Sequence, residues 1–258
     1  MSKDIARMPM QDRLQHLYSV ISGQRFLNKQ GLGNEVPFFI CPFKAEEAAE
    51  MERLQNQLVN RLEQGGIKVL SINLYDLAIE ILKERAVWNQ ILELEPTISK
   101  DQLRELLQGV LDPEAHLVPA IAARLQAVEL DVLFLSGVGE VFPYIRSHNV
   151  LNNLQSTAKD KPTVMFFPGS YTHSLETCAS LDLFGRLHDD KYYRAFNIFH
   201  YEARYPDAIC TFVVVVGIQK VFQALLNLVS QHVFINFEAK AGLIVGFDNA
   251  FDRAVNRL

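Results

Sequence analysis

Residues 131–144 (DVLFLSGVGEVFPY) constrain the fold of this chain more than any other stretch. An apolar run ends abruptly at Ser-Gly-Val-Gly, and a segment of helical character follows it. A strand that is apolar on both faces belongs inside an α/β sheet, where helices cover both sides. The loop at the carboxyl end of such a strand is where these sheets hold their ligands. We therefore expect residues 131–144 to provide the central strand and a loop at the functional edge.

Three further segments have the composition of buried strands, namely 36–43 (VPFFICPF), 67–74 (IKVLSINL) and 162–168 (PTVMFFP). An amphipathic helix with a stripe of Met and Leu is predicted over residues 45–64. Strands that alternate with helices predict βαβ units and a mostly parallel sheet. The predicted fold class is three-layer α/β, resembling the core of a P-loop NTPase without its Walker A loop.

A helical insert is predicted between the second and third strands, at about 77–128. Pro96, Pro113 and Pro119 divide it, and the sequences TISKDQ and LDPE are typical of helix starts. Polar, Leu-striped inserts of this kind are more often packing or docking surfaces than catalytic parts. After the central loop, a further helix is predicted over residues 141–158.

The motifs that bind phosphates are absent from the two loops where this sheet would carry them. A Walker A loop after the first strand would read GxxxxGK[ST], whereas residues 44–47 are KAEE, and their two carboxylates would repel an anion. In the central loop, Gly137 and Gly139 begin a dinucleotide fingerprint, but Phe142 stands where the third glycine belongs. No cofactor is therefore expected.

Two serines and one aspartate are candidates for catalytic or metal-binding groups. Ser136 and Ser170 lie in turns without the GxSxG pattern of a nucleophile, so they are interpreted as turn or cap residues. Asp76 follows the second strand as a magnesium-binding Walker B aspartate would. Without a phosphate loop, however, we expect it to be the N-cap of the next helix. No catalytic residue is assigned.

Residues 184–194 (FGRLHDDKYYR) form the segment richest in reactive side chains. His188, Asp189 and Asp190 could supply a base or metal ligands, but neighbours in sequence need a further ligand from elsewhere, His148 or His173, to complete a metal site. The alternative is a surface whose arginines pair with carboxylates of this chain or of a partner. We adopt the second interpretation and assign no metal.

Composition limits the classes of partner. The chain has 258 residues and a formal net charge of -5, which argues against a global nucleic-acid-binding surface. Cys41, Cys178 and Cys210 form no CxxC pair, so neither a disulfide framework nor a zinc knuckle is indicated, and a reducing cytoplasm fits best. The N-terminus lacks the apolar region of a secretory signal, and the apolar tract 209–229 contains polar residues that argue against a membrane span.

Four long segments carry a family resemblance: GLGNEVPFFICPF, FLSGVGEVFPYIRSHNVLNNLQ, KPTVMFFPG and LDLFGRLHDDKYYRAFNI. In this order and at these spacings, the chain closely resembles the BrxB family of the BREX bacteriophage-exclusion systems, over residues 11–198. The resemblance implies a small cytoplasmic protein encoded with an ATPase (BrxC), a DNA methyltransferase (PglX) and an alkaline-phosphatase-superfamily protein (PglZ). Together these proteins discriminate self DNA from phage DNA.

The resemblance implies an adaptor rather than an enzyme, because the family has no established catalytic residues to carry over. PglZ is the first expected partner, with BrxC or PglX as alternatives. The surfaces expected to act are the helical insert, the central loop and the segment 184–194. The candidate partner-contact residues are Glu140, Phe142, Tyr144, Arg186, His188, Asp189, Asp190 and Arg194.

The chain is expected to divide into a BrxB-like α/β domain, residues 1–198, and an apolar extension, residues 199–258. The extension contains ICTFVVVVG and VFINFEAKAGLIVGF, runs that need cover from the protein body or a partner. Three readings remain open for it: additional strands of the sheet, a docking segment, or an unnatural extension from an altered reading frame or a fusion.

Two other functions are alternatives to the adaptor role. One is a nucleotide-responsive or hydrolytic enzyme with a degenerate NTPase-like site, with Asp76, Glu140 and His188 as acids and bases. The other is direct DNA contact, which the acidic composition makes the weakest hypothesis. Its candidate residues are Arg146, His148, Lys159 and Lys161.

Overall fold

The structure, a computed structural model, covers most of the chain up to residue 201. It describes residues 8–30, 36–174, 178–184, 187–188 and 195–201, with the backbone alone for 172–174, 178–180 and 187–188. These residues belong to one compact unit, Met1–Ala203. The apolar tract 209–229 and nearly all of the predicted extension lie outside the described residues, so the predicted division of the chain stays a prediction.

Helices and strands alternate along the described chain as the sequence predicts. The helices are α1 (Met10–Ile21), α2 (Gln24–Leu27), α3 (Ala48–Gln64), α4 (Leu74–Glu84), α5 (Trp88–Leu94), α6 (Lys100–Val110), α7 (Val118–Ala127) and α8 (Ser147–Leu154). The strands are β1 (Phe38–Phe43), β2 (Val69–Asn73), β3 (Val132–Ser136), β4 (Thr163–Ser174), β5 (Cys178–Leu183), β6 (Leu187–His188) and β7 (Ala195–Asn197).

Five strands form a parallel sheet in the order β2-β3-β4-β1-β7. The predicted mostly parallel α/β fold is confirmed. The central strand, however, is β4, and the predicted central strand β3 lies between β2 and β4. The expectation for residues 131–144 was wrong in this respect, because the order of strands depends on where each crossover returns and not on the apolar character of one strand.

Strand β4 is longer than predicted and changes partner along its length. Its first half pairs with β1 and β3, and from Gly169 to Ser174 it pairs with β5 in an antiparallel ladder. The strand was predicted to end at Pro168, but Pro168 lies at the change of partner, where a missing N–H is tolerated. The Tyr171 hydroxyl donates a 2.6 Å hydrogen bond to the carbonyl of Ala195, which joins the extended part of β4 to β7.

The sheet is buried on both faces, which accounts for the near-continuous apolar sequence of its strands. Phe39 and Phe134 lie on the face that α1 and α3 cover. Ile40 and Leu135 lie on the opposite face, in a cluster with helices α4 to α8. Successive strand residues thus alternate between two cores, and the three-layer arrangement is confirmed.

The helical insert between β2 and β3 is also confirmed. Ser99 caps α6 by accepting from the Gln102 N–H at 3.2 Å, and the Gln102 side chain accepts from the Ser99 N–H in return. Asp112 accepts from the Ala115 N–H at the next helical turn. Both starts follow the capping signals in the sequence.

The helix predicted over residues 141–158 is shorter, since 141–146 form turns and α8 is Ser147–Leu154. Pro143 accounts for the absence of helix at 141–142, because proline lacks an N–H and disfavours helical geometry in the residue before it. In the part of the chain described, no helix is long and apolar enough to cross a membrane.

Candidate functional site

A cleft of about 660 Å³ opens at the carboxyl edge of the parallel sheet. It lies where the chain leaves strands on either side of β4 toward opposite faces: β1 leads to α3 on one face, and β3 leads to α8 on the other. Such a switch point leaves an opening beyond the strand ends, and open α/β sheets bind their ligands there. This cleft is therefore the candidate functional site.

Aromatic and small side chains form the inner surface of the cleft. Phe166 of β4 is only 2% exposed, and it packs edge-on against Phe134 at 5.3 Å between ring centroids. Phe43, at the end of β1, and Phe184, after β5, also line the cleft. The α3 side of the cleft contributes small residues, among them Ala48.

Three carboxylates belong to the lining of the cleft: Glu52 of α3, Asp76 of α4 and Glu140 of the loop after β3. All three residues are exposed. Within the described residues, none of these side chains forms an ion pair or hydrogen bond. No Lys, Arg or His of the described chain lines the cleft. The site is therefore acidic around an apolar interior, and its charge opposes an anionic ligand.

The junction of β2 with the central loop is held by one side chain and one glycine. The Asn73 amide oxygen accepts from the backbone N–H groups of Tyr75, at 2.8 Å, and Asp76, at 3.4 Å, so Asn73 is the N-cap of α4. The prediction that Asp76 is this cap was wrong: Asp76 lies in the first turn, and its carboxylate is left to line the cleft. Gly137 has φ +75, and a Cβ there would lie 2.2 Å from the Asn73 oxygen.

The loop after β3 is anchored on its inner side. Val138, Val141 and Ile145 are buried in the core that helices α4 to α8 cover. The Gln108 side chain of α6 donates a 3.0 Å hydrogen bond to the Pro143 carbonyl, which connects the helical insert to the loop. The loop is thus a set of hydrogen-bonded turns with a fixed position at the edge of the sheet.

The structure separates the three loop residues that the sequence grouped as partner contacts. Glu140 is exposed and lines the cleft. Phe142 and Tyr144 are half-buried, do not line the cleft, and pack against the core beneath helices α4 to α8. Their contact with a partner stays a prediction.

Most of the polar segment 184–194 lies outside the described residues, including Arg186, Asp189, Asp190 and Arg194. His188 belongs to β6 and pairs with Asp182 in the β5–β6 ladder, with its backbone alone described. In the described ranges, no group of three His, Cys, Asp or Glu residues is arranged to hold a metal ion. The proposed roles of this segment stay predictions.

A partly buried ion pair joins Arg13 of α1 to Glu47, the residue before α3. The Arg13 guanidinium, 3% exposed, is 3.0 Å from the Glu47 carboxylate. Partial burial of Glu47 opposes its ionisation, but the hydrogen bond and charge of Arg13 outweigh this and hold the pKa of Glu47 below its usual value. Burial raises the pKa of Cys41 to about 12, although the nearby charge of Arg13 acts in the opposite direction.

This ion pair changes the interpretation of the KAEE loop. Glu47 was expected to repel an anion from the phosphate-loop position, but it is paired with Arg13 and does not line the cleft. The negative charge of the site comes instead from Glu52, Asp76 and Glu140, which are 24 or more positions apart along the chain. Nothing in the local sequence marks these three as neighbours.

Comparisons with known proteins agree on one family. The family model described as "BREX protein BrxB" matches residues 70–198. A BREX protein BrxB of Bacillus cereus (strain H3081.97) is 34% identical over 191 residues, which cover 72% of this chain and 96% of the relative. A BREX protein BrxB of Escherichia coli O9:H4 (strain HS) is 27% identical over 187 residues, which cover 72% of this chain and 90% of the relative. No solved structure matches the chain. The earlier resemblance is confirmed, and the chain belongs to the BrxB family.

Proposed function

We propose that this protein is a non-catalytic assembly component of a BREX anti-phage defence complex, and that it acts through protein–protein contacts at the carboxyl edge of its sheet. Membership of the BrxB family implies a role in a phage-defence system. The proposed partners are other BREX proteins, first PglZ, with BrxC or PglX as alternatives. The protein works in the cytoplasm, beside the other components of that system.

One observation carries the proposal: the position where an α/β sheet holds its ligand is a cleft with an aromatic interior and three carboxylates that have no partner among the described residues. A phosphate-binding site needs backbone N–H groups or cations directed at the ligand, and a hydrolytic site needs a nucleophile beside a base. Among the described lining residues there is no cation and no such pair. Aromatic surface with a polar rim is instead typical of contacts between proteins.

Co-purification tests the proposal directly. The tagged protein would be recovered, at low salt, from cells that carry a complete BREX system, and the retained proteins would be identified by mass spectrometry. We expect another BREX protein to be retained in a fixed ratio. Retention of no BREX component at low salt would refute the assembly role.

A charge-matched pair of variants extends this test to the cleft. The cleft variant carries Glu52→Gln, Asp76→Asn and Glu140→Gln, and it should lose both the partner and phage restriction. The control variant carries three equivalent changes at exposed positions outside the cleft and should retain both. Its changes are Glu63→Gln, Glu84→Gln and Glu114→Gln.

A degenerate NTPase-like enzyme is the second candidate, because Asp76 and Glu140 line one cleft beside the β1–α3 connection, where a P-loop NTPase carries its phosphate loop. The acidic lining opposes this candidate. Equilibrium binding of a fluorescent ATP analogue, with and without magnesium, distinguishes the two. Saturable binding that the cleft variant abolishes, with turnover of ATP, would replace the adaptor proposal.

A further inference from the structure

Resting on the assembly role proposed above, we propose that the cleft at the carboxyl edge of the sheet accepts an arginine side chain from an extended segment of a partner protein. The guanidinium would lie against the aromatic interior, and the carboxylates at the cleft would pair with its N–H groups. The inference specifies that the partner presents an arginine side chain, and not which protein the partner is.

The aromatic lining of the cleft suits a flat group at the end of a long side chain. Phe166 forms a buried ring surface, while Phe43 and Phe184 contribute further aromatic area, and Phe184 is 40% exposed. Ala48 and Ala49, small residues at the start of α3, also line the cleft. A guanidinium is planar and weakly hydrated, so it stacks on aromatic faces, and its aliphatic stem packs on apolar surface.

The charge of the cleft selects a cation. Glu52, Asp76 and Glu140 line the cleft from three different elements, and none of their side chains is neutralised within the described chain. A purely apolar occupant would exclude water from these carboxylates without providing a partner, which is unfavourable. An anionic occupant would be repelled. A cation that also stacks on rings satisfies both parts of the surface.

Arginine fits this combination better than lysine. A guanidinium offers five N–H donors in a rigid plane and can bond more than one carboxylate at once. An ammonium is a compact, strongly hydrated charge that stacks less well on aromatic rings. Glu52, Asp76 and Glu140 come to the cleft from three elements, α3, α4 and the loop after β3.

The test uses the full chain and the acetylated, amidated heptapeptide Gly-Ala-Leu-Arg-Leu-Ala-Gly. Versions with citrulline, lysine or glutamate in place of arginine serve as neutral, cationic and anionic controls. Isothermal titration calorimetry would measure affinity, and nuclear magnetic resonance would locate the binding site. We expect the arginine peptide to bind about tenfold or more tightly than the citrulline peptide, and binding to weaken as salt is raised.

Two variants, one that removes negative charge and one that adds side-chain volume, test whether the peptide binds in the cleft. The cleft variant Glu52→Gln/Asp76→Asn/Glu140→Gln should weaken binding of the arginine peptide about tenfold, whereas the Glu63→Gln/Glu84→Gln/Glu114→Gln control should not. Ala48→Leu adds volume to the lining of the cleft without changing charge and should also abolish binding. Retained folding of each variant would be verified by circular dichroism.

Several outcomes would overturn the inference. They are equal affinity for the citrulline peptide, tighter binding of the glutamate or lysine peptide, unchanged affinity in the cleft variant, and no binding at millimolar concentration. None of these results affects retention of BREX proteins by the tagged chain. Loss of that retention, with peptide binding intact, would instead refute the assembly role alone.

Discussion

The contact between Gly137 and Asn73 predicts a large and specific loss of stability for Gly137→Ala. Gly137 has φ +75, where an L-residue with a Cβ is disfavoured by about 1–2 kcal/mol. The new Cβ would also lie 2.2 Å from the Asn73 oxygen, so Asn73 must move and α4 loses its cap. Loss of such a cap costs about 1 kcal/mol. We therefore expect a loss of about 2–4 kcal/mol in the free energy of unfolding.

Gly66 offers a matched control, because it has φ +81 but nothing within 4 Å of an added Cβ. Gly66→Ala introduces the same kind of backbone strain without a collision, so we expect a loss of about 1 kcal/mol. Urea denaturation followed by circular dichroism measures both free energies. A loss for Gly137→Ala no larger than that for Gly66→Ala would show that the collision with Asn73 is relieved without consequence.

A double-mutant cycle isolates the collision itself. Asn73→Ala removes the cap at a cost of about 1 kcal/mol and also removes the atom that the new Cβ would meet. In that background, Gly137→Ala should cost only the backbone strain and the milder 3.1 Å contact of its Cβ with the Leu74 backbone N, so the two changes should couple by about 1–2 kcal/mol. Strictly additive losses would refute the reasoning, because they would mean that the Asn73 side chain does not oppose a Cβ at position 137.

Three further predictions concern other parts of the fold. Glu47→Gln should lower the free energy of unfolding at pH 7, where the Glu47 carboxylate is ionised and paired with Arg13. A carboxylate whose folded pKa is lowered stabilises the protein above its unfolded pKa near 4.5 and loses this contribution as the pH falls through the folded pKa, so urea titrations between pH 7 and 3 should show a smaller loss of stability for the variant than for the parent. Parallel pH profiles for variant and parent would contradict this. The Cys41 thiol should resist iodoacetamide at pH 8 in the native state and react in urea, because burial raises its pKa to about 12; peptide mass mapping would detect native-state labelling if this is wrong. Gly109→Ala, on α6 with nothing within 4 Å of the added Cβ, should stabilise the protein by about 0.5–1 kcal/mol, and a lower melting temperature would contradict the expected helix effect.

Local sequence signals predicted the elements of the fold well where one physical cause acts within a few residues. The apolar runs that became β1, β3 and β4 need cover on both faces, so their composition alone indicates buried strands. The capping signals at Ser99 and Asp112 likewise act over three residues, and both were observed. The helical insert follows from the same kind of local information.

Predictions failed where two local signals compete or where distant partners decide. Asn73 and Asp76 both suit an N-cap; β2 pairs with β3 as far as Asn73, and α4 begins at the next residue with Asn73 as its cap. The strand was predicted to end at Pro168, but pairing with β5 continues β4 to Ser174. In both cases the local sequence allows two boundaries for the element, and the boundary that is observed depends on pairing with the neighbouring strand.

By itself, the sequence determined the alternation of strands and helices, the two-sided burial of the sheet, the absence of a Walker A or dinucleotide motif, and the family resemblance. These properties are local, because they depend on side-chain period, capping and contiguous segments. The tertiary structure alone decided that β4 is the central strand and that Glu52, Asp76 and Glu140 share a cleft with Phe166. The physical reason is that a cleft is formed where crossovers leave a sheet toward opposite faces, and its lining comes from strand ends that only the completed sheet brings together.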